Sequence, residues 1–191
     1  VYSMTVSGDG TVYYQGGGRS FFRVEADGSS VELGTFAGNG GGGMNGGVVV
    51  VDNGATGYFG ADDGTFPGCV GGIEVFGIAH DSATAPKPFN CTTGKFPRRL
   101  AAVGSNLLAL SDQNTPFMKT VSRITGEVES FVSLPGRAGG ITATPDGSSI
   151  YAITTGGVVR ADAPRYAALT KVADFPSSVS PYCIGGGAAF I

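Results

Sequence analysis

Thr5-Val6-Ser7-Gly8-Asp9-Gly10-Thr11-Val12-Tyr13-Tyr14 returns near the other end of the chain as Thr142-Ala143-Thr144-Pro145-Asp146-Gly147-Ser148-Ser149-Ile150-Tyr151. Each copy reads as a short strand, an Asp-Gly turn and a second strand. Asp-Gly supplies the positive φ that a tight hairpin needs. The flanking β-branched and aromatic residues suit a pleated, half-buried surface. Further out the match continues. Gly17-Gly18 precedes Phe22-Arg23-Val24, as Gly156-Gly157 precedes Val159-Arg160-Ala161, and the two stretches close on Thr35-Phe36 and Asp174-Phe175.

Two variants lie between these copies. In one, a strand from Val48 to Asp52 turns at Asn53-Gly54 into Thr56 to Gly60; in the other, Leu100 to Val103 turns at Gly104-Ser105-Asn106 into Leu107 to Ser111. From Asp9 to Asp146 is three periods of about 46 residues, the length of one four-stranded propeller blade. One such sheet cannot hide both faces alone, so it stacks on its neighbours. Repeats are expected over about 1–38, 46–96, 98–135 and 138–176, with a partial copy over 178–191. The fold class is therefore an all-β β-propeller, a single domain or segment over 1–191. Because both ends offer an inner-strand half, the expectation is four blades plus the start of a fifth, cut from a longer propeller. A closed four-bladed ring with an added strand is the alternative. Only 165–173 has any helical character.

Composition agrees. Of 191 residues 34 are Gly, which favours turns over helices, since Gly costs about 1 kcal/mol per helix position. The net charge is only −3, so no basic patch exists to neutralise phosphates, and nucleic acid is not an expected partner. No apolar run approaches the ~18 residues of a membrane span; the longest, Val48 to Val51, has the length of a strand.

The Thr-Pro-Asp-Gly-Ser-Ser-Ile-Tyr run over 144–151, with Val1 to Tyr14, resembles the opening hairpin of propellers of the NHL, TolB and YVTN type. No WD dipeptide ends any repeat, which separates it from the WD40 pattern. The resemblance spans nearly the whole chain and implies a fold that hosts enzymes, lectins and scaffolds alike. Lactonase- and strictosidine-synthase-like members hold a divalent metal with carboxylates and Asn from inner strands. Here those strands carry almost none, Asp52 being the exception, so a metal-dependent enzyme of that kind is the second reading.

In a meandering blade, connectors 1–2 and 3–4 lie on one face, and 2–3 and 4–1 on the other. The first set is tight, and Asp9, Asp27 and Asp146 there read as turn formers. The second set is longer, and long connectors on a rigid scaffold are where binding residues sit. A ligand or partner is therefore expected at Arg19, Asp62, Asp63, Asp112, Asn114 and Arg137. Cys69 and Cys91 fall on that same face and are expected to form a disulfide, closing about 22 residues and contributing about 3 kcal/mol. Cys183 reads as a buried thiol. Asn90-Cys91-Thr92 fits a glycosylation acceptor, and with the cysteine pair it points to an extracellular, secreted protein.

Chemistry-bearing patterns are few. Asp62-Asp63-Gly64-Thr65 could offer carboxylates to Ca²⁺ but lacks the EF-hand spacing, so no cofactor or metal is expected. The Gly-rich run 37–47 has no Lys-Ser/Thr after it and no helix to follow. His80 and Asp81 are adjacent and, read as strand residues, point to opposite faces. The expected function is a non-catalytic extracellular module that contacts protein or glycan, or assembles with copies of itself.

Overall fold

The structure, a computed structural model, describes residues 3–16, 20–36, 47–66, 69–91, 97–111 and 116–175, with only the backbone described for 61–66, 69–71, 97–98, 109–111 and 138. The described residues form seventeen strands and one 3-10 turn at Asp52–Gly54, with no α-helix. None of them forms a helix long and apolar enough to cross a membrane. The chain divides into two compact units, Val1–Leu100 and Ala101–Ile191.

Two antiparallel sheets make up the first unit. β1 (Ser3–Val6), β2 (Val12–Gln15), β3 (Ser20–Val24) and β4 (Ser30–Thr35) pair in chain order. β5 (Val48–Val51), β6 (Thr56–Phe66) and β7 (Cys69–Ala79) follow in the same manner. The outer position of this second sheet is filled in two pieces, β8 (Ser82–Ala83) and β9 (Lys87–Asn90), both paired with β7. The break at 84–86 interrupts a single outer strand, because Ile78 faces Ala83 while Val75 faces Lys87.

Alternation decides which side chains are buried. Tyr13, Phe21 and Leu33 leave one face of the first sheet; Val48, Val50, Phe59 and Phe76 leave the facing side of the second, and with Phe36 they form one core. Phe21 meets Phe76 edge-on with centroids 5.0 Å apart, and Phe36 stacks on Phe59 at 5.8 Å. Such pairs add about 0.5–1.5 kcal/mol each beyond the area they bury. Gly57 lies opposite Phe76 in the register, and a methyl there would stand 2.1 Å from the ring, so the phenyl packs flat against bare backbone.

The second unit repeats the scheme. β10 (Pro97–Val103), which starts in the first unit, pairs in order with β11 (Asn106–Ser111), β12 (Phe117–Ser122) and β13 (Val128–Ser133). The last sheet comprises β14 (Ala138–Ala143), β15 (Ser149–Thr154), β16 (Gly157–Asp162) and β17 (Thr170–Ala173). Val103, Leu108 and Met118 pack against Ile141, Ile150, Val159 and Tyr166 in a core of their own. The segment with helical character is not a helix. Tyr166 takes φ 50°, which breaks any helical path, and buries its ring while its hydroxyl donates to the Gly147 carbonyl at 2.6 Å. The remainder becomes β17, whose backbone completes the ladder with β16. Ser130 Oγ also donates to the Arg165 carbonyl at 2.8 Å, tying the third sheet to this turn.

The repeated hairpins share their inner turn, and the second closes around one more residue. Ser7 N–H donates to the Thr11 carbonyl and Gly10 N–H to Ser7; Thr144 N–H donates to Ser149 and Gly147 N–H to Thr144. Gly10 and Gly147 take φ of 87° and 70°, where a side chain is strained. The Asp62–Gly72 stretch, expected as a long connector, is instead mostly strand: β6 runs on to Phe66 and β7 starts at Cys69. Asp63 pairs with Val70, because an extended hairpin satisfies backbone groups that a loop would leave to water.

Phe76 is 2% exposed at the junction of the first two sheets. Phe76→Ala is expected to cost about 3–5 kcal/mol, measured as a lower urea midpoint. The equally buried Leu107 lies outside that aromatic cluster, so Leu107→Ala should spare the cleft described below while destabilising the protein to a similar degree.

Candidate functional site

The first unit carries a cleft of about 530 Å³ on the tight-turn face, lined by the β1–β2 turn, the end of β3 and the β7–β8 turn. Its walls start from local turn chemistry. Asp9 Oδ1 accepts from the Ser7 hydroxyl and from the Thr11 N–H at 3.1 Å, an Asx turn that fixes the carboxylate in place. The Ser7 hydroxyl, then the Thr11 N–H, hold the Asp9 carboxyl below its ordinary range. Asp27 and Asp146 build the same turn through Ser29 and Ser148. All three aspartates therefore serve as turn formers, as the repeat implied.

Arg23 joins the two sheets. Its Nε and Nη2 donate to Glu25 Oε1 at 2.9 and 2.5 Å, and its Nη1 donates to the His80 carbonyl, 57 residues away. The side chain is only 13% exposed, so its charge is met by one carboxylate and one carbonyl at the cleft edge. His80 and Asp81 form a two-residue turn between β7 and β8. His80 Nδ1 lies 2.5 Å from Asp81 Oδ1, and both side chains are exposed. This corrects the expectation that they point apart: at a hairpin corner neighbouring side chains project together.

Tyr13 forms the floor. It is 4% exposed, stacks on Phe21 at 5.7 Å and lines the cleft. Burial, then the nearby Asp9 charge, pushes its phenol above the ordinary value. Gly54, at φ 91°, comes so close that a methyl there would stand 2.8 Å from the Tyr13 hydroxyl.

Of the residues expected to bind, none that the structure describes lines this cleft. Arg19, Asp112 and Asn114 lie outside the described residues, as do Cys183 and the partial fifth repeat. Asp62 and Asp63 sit within β6, not on a connector, and their side chains are outside the description. Arg137 is exposed, and its backbone N–H donates to Thr155 Oγ1 at 3.0 Å. Among the described residues no group of three or more His, Cys, Asp or Glu could hold a metal ion. Asn90 is 7% exposed in β9, and Thr92 of its tripeptide lies outside the described residues. Cys91, just after it, is not a free thiol. Sequence reasoning missed Arg23, Glu25 and Tyr13, because they read as ordinary strand residues and their partners are distant in the chain.

No protein family's sequence profile matches the chain, and no curated protein matches it. Among solved structures it is similar to the β-propeller domain of Cps50 (Swd1) from Myceliophteria thermophila, at a TM-score of 0.58 and 12% identity, covering 94% of this chain and 56% of that one. With the four sheets above, this shows the fold: an all-β propeller of four four-stranded antiparallel blades. The chain spans a little over half the length of that propeller domain.

Asp146 provides a test of the turn chemistry. Its carboxyl is drawn down to about 2, first by the Thr144 hydroxyl and then by Ser148. The folded value lies below the ordinary ~3.9 of an unfolded chain. The stabilisation is thus present above about pH 4 and lost as pH falls toward 2. Asp146→Asn, which keeps an acceptor oxygen, should flatten that part of a pH–stability curve measured by thermal melts.

Proposed function

We propose that this chain is a non-catalytic propeller module of the NHL/TolB/YVTN-like type that binds a protein segment on its tight-turn face, outside the cytosol. One observation carries the reading. The cleft between the β1–β2 and β7–β8 turns is built by two sheets, and its charged groups are already engaged in holding turns or one another. Such groups are rigid and suit recognition, since little ordering cost remains on binding. A volume near 530 Å³ falls within the ~300–1,000 Å³ of ligand sites. The propeller likeness supports an interaction module without specifying its partner.

Ala26 is exposed at the rim of this cleft, within a turn. Peptides selected from a display library against the native chain are expected to lose about tenfold or more in affinity for Ala26→Trp, which fills the cleft mouth. Arg137→Ala, among the residues first expected to bind, should leave them unaffected. Peptides that bind Ala26→Trp undiminished would overturn the assignment.

The extracellular placement is supported by Cys91, which is engaged at the end of β9. Cys69 is proposed as its partner, securing the long β6–β7 hairpin to the outer strand. Non-reducing peptide mapping should then recover one linked fragment containing both residues; a Cys91–Cys183 fragment would replace this pairing.

A further inference from the structure

The second unit holds an occupied counterpart of the cleft. The first sheet and the last share one register: Thr5 faces Tyr13 and Tyr13 faces Arg23, as Thr142 faces Tyr151 and Tyr151 faces Arg160. Arg23 donates to Glu25 two residues on, and Arg160 donates to Asp162 in the same way. The turns that follow also correspond. The Gly28 N–H donates to the Glu25 carbonyl at 2.9 Å, and the Tyr166 N–H donates to the Asp162 carbonyl at 3.0 Å. Both closing residues take positive φ, 82° and 50°. Tyr166 therefore stands where Gly28 stands, in a longer turn. Their side chains make the difference. Tyr166 is 3% exposed, shares a core with Ile150 and Ala161, and donates its hydroxyl to the Gly147 carbonyl at 2.6 Å. At Gly28 an added Cβ would meet nothing within 4 Å.

In this register the counterparts of Gly147, Ile150, Ala161 and Asp162 are Gly10, Val12, Val24 and Glu25, and all four line the open cleft. The last sheet fills its seat with a phenol from its own chain; the first sheet, built to the same register, leaves the seat open. We infer that the cleft receives a tyrosine side chain from a partner protein segment, its ring against Val12 and Val24 and its hydroxyl donating to the Gly10 carbonyl. A buried tyrosine supplies both things such a seat takes, apolar ring area and one hydrogen bond. Tyrosine is also among the few residues that carry most of the energy of protein interfaces. The inference rests on the binding-module reading and names the side chain that anchors the partner.

The probes are acetyl-Gly-Ala-X-Ala-Gly-amide peptides with X as Tyr, Phe or Leu, titrated into the isotope-labelled full chain and followed by NMR through the amide signals of Gly10, Thr11 and Glu25. The Tyr peptide is expected to move these signals. The Phe peptide should bind about fivefold more weakly for want of the hydroxyl, and the Leu peptide about tenfold more weakly or worse. Two variants close the seat. Gly28→Tyr supplies the phenol from the chain itself, as Tyr166 does, and Ala26→Trp covers the mouth from an exposed position. Each should weaken the Tyr peptide about tenfold or more. Should the positive φ at position 28 keep Gly28→Tyr from folding, Ala26→Trp carries the test alone. Arg137→Ala lies outside the cleft lining and should change nothing. The inference is overturned if the Tyr and Leu peptides bind alike, or if the Tyr peptide binds the closed variants undiminished. Binding of p-cresol where the Tyr peptide fails overturns it in favour of a small-phenol site. Should library selection return peptides that depend on Ala26 yet bind as well with their tyrosines replaced, this inference falls while the binding module stands; peptides insensitive to Ala26→Trp remove both.

Discussion

The aromatic contact between the first two sheets is the constraint on which the site depends. Phe21, Phe36, Phe59 and Phe76 lock edge and face together, with centroid distances between 4.8 and 6.0 Å. That packing fixes the separation of the sheets, and through it the separation of the β1–β2 and β7–β8 turns. Arg23 reaches the His80 carbonyl only because the rings beneath hold the two edges in place. Gly57 belongs to the same device, since its lack of a side chain lets Phe76 lie against the backbone. A cleft made this way is as rigid as the core under it.

Around this cleft the polar groups have a division of labour. The Ser7 hydroxyl and the Thr11 backbone N–H hold the Asp9 carboxylate and keep it ionised. Glu25 steers Arg23 along the edge between the sheets. Tyr13 belongs to both, its ring in the aromatic core and the residue in the cleft lining. In the second unit the corresponding turn at Asp146 has another occupant. Tyr166 comes from the following turn and donates to the Gly147 carbonyl. The same hairpin therefore serves as a closed structural joint in one place and as a cleft wall in the other, and the difference lies in what the neighbouring segment contributes.

Much of the architecture was legible because its signals are local. An Asp followed by Gly makes its turn from atoms two residues apart, so the equivalence of Asp9 and Asp146 could be read from the letters alone. Alternation likewise separates Tyr13 and Phe21 from Tyr14 and Phe22, which stack on the opposite face at 4.9 Å. The site was less legible. The long hairpin of β6 and β7 read as a connector because Asp62, Asp63 and several glycines resemble loop composition, yet pairing across the hairpin overrides propensity. His80 and Asp81 were misread by the placement of one turn: two residues at a corner share a side, whereas two in a strand do not. Asn90 carries a local tripeptide signal, but its burial depends on how β9 lies against β7.

By itself the sequence determined the repeat length, the four-strand rhythm, the turn aspartates and the all-β class, because each follows from contacts within a hairpin or from a period of two. Only the tertiary structure decided that the cleft lies on the tight-turn face, that Arg23 meets a carbonyl 57 residues away, and that Tyr13 belongs both to the aromatic core and to the cleft lining. Those outcomes depend on how one sheet packs on another, and packing distances between segments remote in the chain leave no mark in any single stretch of it.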